Sequence, residues 1–406
     1  NPYAATGEPM FAAMQCVLLY PFNWGLFFLD VPQALMVVQA SAVLVGILGT
    51  VLYLRYLRVH SAGIVLAGIV FGYSVHYQAF NSVLGSTYAW LPIVLWAGHR
   101  LFDRPSFSRA ALLAVLLSLC FLGGMPQYLF YIILVLLVYL TVLALYSRSV
   151  HRARPLIVRA GLLMAAIALM GGLVAAQLLP SIELSVHSER NVAGELQAEQ
   201  QAGRHGNWFS LERMAGGYLA REPWAAECGQ LLVLPYFGGL LFLLPFAFGS
   251  KRHRAAALGL AAALAYSILF VLAKQGSAPA FLGWAPFSNV FRNHSKMIAF
   301  GHFPLAALAA IGLSSLQERH YDLSEHLDGK KSLARVLELL GVLMVWCLLF
   351  VFNAPSKSGI YQYFLMLLPL GVMCGIYAAG SASVSSRPRS AATGGFALLG
   401  VTFSAL

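Results

Sequence analysis

Apolar runs about 20 residues long recur along this chain, and no other feature limits its fold as much. They fall at residues 33–53, 62–74, 89–101, 110–122, 128–146, 156–179, 231–248, 255–272, 297–316, 336–352 and 361–379, with a partial run from 394. Lipid offers no partner for backbone N–H and C=O groups. A crossing segment must therefore pair them as a helix or within a closed barrel. Barrels need short segments that alternate lipid-facing and lumen-facing residues, and these runs do not alternate. Soluble proteins carry about a quarter charged residues; here 10% are charged and 59% hydrophobic. The expected fold is all-α, a polytopic transmembrane bundle of about 11–13 spans.

The runs at 62–74 and 89–101 are short for a span, which predicts tilted or broken helices around the segment between them. Mid-span positions are nearly all apolar, whereas transporters bury ionisable groups there. Cations orient such a bundle. With residues 1–32 outward, 18 of the 26 Lys and Arg lie in the alternate loops, among them Arg55, Arg58, Arg100, Arg104, Arg109 and Arg148. The other face holds Arg190, Arg204, Arg213, Arg221, Lys274, Arg292, Lys296 and Lys357, with most of the acids. The positive-inside rule then puts the arginine-rich face in the cytoplasm. The +11 charge orients the chain and marks no nucleic-acid surface.

This topology divides the chain into an outer interfacial segment (1–32), a membrane core (33–179), an outer loop region (180–230), a second core with an outer loop at 273–296 (231–316), a cytoplasmic connector (317–335) and C-terminal spans (336–406). The long, chemically varied loops face outward, and loops beyond about 15 residues tend to carry function or be disordered. The opening NPYAATGEPMF has no basic n-region, so no signal peptide is expected. Both ends read as cut ends of a longer protein.

The sharpest cluster is residues 284–301, WAPFSNVFRNHSKMIAFG, which sets Arg292, His294 and Lys296 at the lip of a span. Two readings compete: side chains that snorkel to the headgroups, or a clamp for a phosphate group. In PSIELSVHSER (180–190), Glu183, His187 and Arg190 share one helix face, as an acid/base and anion site or as a surface ion-pair ladder. Glu8 reads either as a catalytic carboxylate or as a first-turn acid on an interfacial helix. Asp30 reads as a helix cap. His76, with Gln78 and Asn81, lines a polar cavity or satisfies broken-helix backbone. GGMPQ (123–127) is mainly a turn that starts a helix at Pro126 and turns Gln127 toward the outer vestibule. No HExxH, zinc spacing, P-loop or GxSxG occurs, so no residue is assigned to a metal, and the need for a divalent metal stays open with no motif behind it.

In order, NPY, GEP, YPFN, AWLP, GGMPQ, QLLPSIE, YFGGL and FRNHSK resemble the motifs of YfhO-like bacterial membrane proteins, within the wider GT-C glycosyltransferase group. The resemblance spans about three quarters of the chain, from Asn1 to roughly Leu316. It implies a GT-C-like bundle in the bacterial cytoplasmic (inner) membrane. Such an enzyme moves a sugar from a polyprenyl-phosphate donor to an envelope glycopolymer, lipid or protein on the extracytoplasmic face. The family's FR.p.R pattern falls on Phe291, Arg292 and Lys296, with His294 for the usual Pro and Lys296 for the second Arg. Glu183 and Arg190 match its P..E....S.R pattern, and Gln127 its GGhPQ. GT-C enzymes carry a catalytic Asp or Glu in the first outer loop, most of which this sequence lacks; Glu8 and Glu183 are the candidates within it. The alternative is a scaffold, or a subunit of a larger membrane complex, that keeps the fold without the activity.

Overall fold

A computed structural model gives the fold and describes residues 11–79, 82–148, 154–186, 240, 243–274, 278–285 and 294–324. Among these residues the secondary structure is all helical. The helices are α1 (Val31–Tyr56), α2 (Ser61–Ala79), α3 (Ser82–Tyr88), α4 (Leu91–Asp103), α5 (Phe107–Leu122), α6 (Pro126–Arg148), α7 (Arg154–Leu173), α8 (Ala175–Val186), α9 (Leu244–Ala247), α10 (Arg254–Lys274) and α11 (His302–Ser324), with 3₁₀ segments at Met14–Cys16, Pro21–Phe27, Ala280–Gly283 and His294–Gly301. Five described helical stretches are long and apolar enough to cross a membrane: Val31–Tyr56, Pro126–Tyr146, Leu156–Leu173, Arg254–Lys274 and Lys296–Glu318. Ser61–Val75 and Phe107–Leu122 are shorter apolar helices.

The bundle is built around α11. Its first half, including Ala306, Ala307, Ala309 and Ala310, is buried. Small side chains let backbones close in on one another, which is how helices associate without a hydrophobic drive between them. α1 shows the same logic from the edge. It buries Ala34, Val38, Ala42, Gly46, Gly49 and Tyr53 on one face and exposes Leu35, Met36, Leu44 and Leu48 on the other. Asp30 does occupy the N-cap position of α1, with Pro32 in the first turn, but its side chain makes no cap hydrogen bond. Ser106 does cap α5, accepting from the Arg109 N–H at 3.4 Å. Ser106→Ala is expected to cost about 1 kcal/mol, read as a lower midpoint of thermal unfolding in detergent.

Three expectations change. The segment expected as a loop between the two short runs is largely helical: α2 continues to Ala79, and α3 and the turn into α4 lie inside the bundle, with Ser86, Thr87 and Tyr88 buried. The run at 156–179 is two helices, broken at Val174 just after Gly171-Gly172, where glycines weaken the helix. The connector begins as helix, since α11 runs on to Ser324. As a turn that starts a helix, GGMPQ behaves as read. Gly124 takes φ +92°, a left-handed value that suits glycine, and Pro126 starts α6.

Nor is the interior as apolar as the sequence suggests. Tyr53 Oη donates to Tyr139 Oη at 2.8 Å, and Tyr139 Oη lies 2.7 Å from His99 Nδ1. Nε2 of His99 lies 3.6 Å from Asp103, whose carboxylate also accepts from Tyr56 Oη at 2.5 Å. With Tyr53 donating to Tyr139, the Tyr139 proton goes to Nδ1 and the His99 proton sits on Nε2, facing the carboxylate. This chain of paired groups ties α1, α4 and α6 together.

Candidate functional site

The two ends of the bundle differ in chemistry. At one end the Leu57 carbonyl accepts from His253 Nε2 at 3.0 Å, Arg159 lies over the Phe102 ring, and the Arg109 guanidinium donates to the Arg104 carbonyl. This end gathers the C-termini of α1 and α4 with the N-termini of α5, α7 and α10, and among the described residues it carries the arginines.

The opposite end holds the N-terminus of α6, the C-terminus of α10 and the 3₁₀ segment His294–Gly301. The helices α6 and α10 run antiparallel: Gly259 packs on Tyr139 near one end, and the Phe270 ring meets Tyr131 at 6.1 Å near the other. This brings Lys274 and Gln127, each at its helix terminus, to one region. The four rings of Tyr128, Tyr131, Phe270 and Phe300 form its floor, with Phe300 at 5.1 Å from Tyr128 and 5.4 Å from Tyr131.

Polar groups stand around that floor. Lys296 Nζ sits 6.0 Å from the Tyr128 centroid and Lys274 Nζ 5.8 Å from that of Phe270, the outer limit of cation–π attraction. The His294 ring meets Phe270 at 5.8 Å. Gln127 is buried, and its amide donates to Tyr131 Oη at 2.7 Å. Burial, and then the Lys274 charge, push the His294 pKa down to about 4, so the imidazole is neutral at pH 7. Its Nδ1 is buried and has no hydrogen-bond partner among the described residues. Two ammonium groups and a neutral imidazole at the lip of a span suit an anion, because the field is positive and partly desolvated.

Beneath the floor lies a second buried chain. Tyr88, whose ring meets Phe300 at 5.4 Å, donates to the Ala299 carbonyl at 2.8 Å. Ser74 Oγ lies 3.1 Å from Tyr88 Oη and 2.8 Å from His302 Nδ1. All three contacts are satisfied only if Nδ1 donates to Ser74 and Ser74 donates to Tyr88. That tautomer leaves a bare lone pair on His302 Nε2, which is buried without a partner among the described residues.

Of the residues singled out in the sequence, Gln127, His294 and Lys296 thus come together. Glu183 is exposed on α8 and shares no described contact with these three. Two residues before it, Ser181 donates to the Ala12 carbonyl at 2.8 Å and Gln177 donates to that of Phe11 at 3.3 Å, so α8 docks against the N-terminal segment. His76 belongs to the last turn of α2. Glu8, Arg190 and Arg292 lie outside the described residues. Lys274 was legible only as one of the outward cations; it ends an apolar helix with no motif around it. His302 and Ser74 look like ordinary span residues, and only their contact reveals them. Among the described residues no group of His, Cys, Asp and Glu is placed to hold a metal ion.

Comparison with known proteins finds no family model, no curated protein and no solved structure that matches this chain. The likeness to YfhO-like proteins therefore rests on the order of its motifs.

Proposed function

We propose that this chain is an integral-membrane glycosyltransferase of the YfhO-like, GT-C-like kind. It would move a sugar from a polyprenyl-phosphate donor to an envelope acceptor on the extracytoplasmic face of a bacterial cytoplasmic membrane. One observation carries the proposal: Lys274, His294 and Lys296 stand around one aromatic floor, at the end of the bundle opposite the described arginines. That location is the outer face under the positive-inside rule. Exposed Trp24, Phe27, Phe28, Phe281 and Trp284 suit headgroup depth, where a lipid-borne phosphate resides.

In the transfer, an acceptor hydroxyl gives its proton to a carboxylate, and its oxygen bonds to the anomeric carbon. The bond from that carbon to the donor phosphate breaks, and its electron pair goes to the phosphate oxygen. Negative charge grows on the phosphate, where Lys296 and Lys274 stabilise it, with Arg292 and Arg190 as further cations by the motif match. Glu8 and Glu183 remain the carboxylates offered by this sequence.

The test is transfer in proteoliposomes of the purified chain, with radiolabelled prenyl phosphoryl-hexose and envelope extract as acceptor. Label is expected to move to the acceptor with the wild-type chain and at most about one hundredth as fast with Arg292→Ala. A second reading, a scaffold or transporter on the same fold, draws on the buried imidazoles His99 and His302, since ionisable groups inside spans mark pathways. Donor binding without transfer would favour it.

A further inference from the structure

We infer that His294 binds the donor's phosphate-ester anion together with a proton, through Nδ1, so that the occupied site carries one more positive charge on the protein than the empty one. The inference rests on the donor reading proposed above and adds the charge state of the complex. Nδ1 is buried and lacks a partner among the described residues. A buried ring nitrogen left unpaired is costly, so one that persists in a cationic site marks an unmet demand for a partner.

Among the described helices, α6, α10 and α11 pack on the His294–Gly301 segment. Their titratable groups near this end are Lys274 and Tyr266 on α10, Tyr128 and Tyr131 on α6, and His302 on α11, with Lys296 on the segment itself. None of these is a carboxylate. In the empty site, burial and the Lys274 charge both disfavour the imidazolium, which holds the pKa near about 4. An anion seated beside Lys274 offsets that charge, and pairing the imidazolium offsets part of the larger cost of burial. An opposite charge within about 4–6 Å raises such a pKa by roughly 1–3 units.

The sign follows. The complex binds more protons than the free protein, so affinity rises as pH falls through the raised value and levels off below about 4. For a shift of about two units, binding tightens roughly tenfold between pH 8 and pH 5.

The experiment is calorimetric titration of the full chain in nanodiscs at pH 6, in two buffers of different ionisation enthalpy. The probe is a short-chain prenyl phosphoryl-hexose, a phosphodiester whose charge does not titrate in this range. Proton uptake with the wild type, lost in a folded His294→Gln variant that still binds, is the expected result. Tight binding by the wild type with no uptake and no pH dependence overturns the inference and leaves the donor reading standing. No binding at any pH overturns both. Equal uptake with phosphatidylglycerol supports proton-linked binding of a phosphate headgroup but overturns the site as a donor site. The wild-type comparison decides the matter even if His294→Gln fails to fold.

Discussion

On the proposed function, replacing both Lys274 and Lys296 by methionine is expected to abolish sugar transfer, and Lys296→Met alone to slow it by about a hundredfold or more. Both ammonium groups lie over the same ring cluster, and methionine keeps the stem's bulk and apolar packing while removing the charge. Charge builds on the leaving phosphate only as the anomeric bond breaks. The loss should therefore fall mainly on kcat, with a smaller rise in KM from the charge already present on the donor. Lys296→Arg should keep most of the rate, because a guanidinium keeps the charge and holds a phosphate through its planar fork. Lys251→Met, at the arginine-rich end, should change nothing. Steady-state transfer by these variants, normalised to folded protein, is the measurement. Unchanged turnover in the double variant would sink the site.

The helical architecture could be read from the chain because span length obeys a simple physics. Hydrocarbon thickness sets how many apolar residues a helix needs. The start of α6 at Pro126 and the glycine turn before it followed from local backbone chemistry. What hid was whatever depends on side chains meeting across the bundle. The helix α3 looked like an outer loop because Ser82, Ser86 and Thr87 are polar, yet Thr87 is buried and its hydroxyl accepts from the Met125 N–H at 3.2 Å. Tyr53, Tyr139 and His99 lie 86 and 40 residues apart along their two hydrogen bonds, and no local pattern announces such a chain. The same holds for the site. His294 and Lys296 share a motif and were legible together, whereas Lys274 joins them only because α10 and α6 run antiparallel.

Gly312→Ala is expected to be the most damaging single-methyl change in the described bundle, and Gly161→Ala among the mildest. A methyl group at Gly312 would meet the carbonyl oxygen of Leu243 far inside van der Waals contact, and that obstacle is backbone, which cannot swing aside. Gly63 is close behind, since its methyl would lie 2.5 Å from the Ala310 carbonyl oxygen. Overpacking of this kind costs about 1–3 kcal/mol and sometimes more, and it outweighs the gain of about 0.8–1 kcal/mol in helix propensity from glycine to alanine. At Gly161 nothing lies within 4 Å of the added carbon, so only the propensity gain remains. Thermal unfolding in nanodiscs should therefore move in opposite directions for the two variants. Gly312→Ala should also weaken binding of the phosphodiester probe, because α11 continues directly from the segment that carries His294 and Lys296. If α11 is pushed off its neighbours, the lysine and the imidazole lose the ring floor that fixes their positions. A Gly312→Ala chain as stable as wild type would mean that α11 and the chain at Leu243 do not pack backbone to backbone.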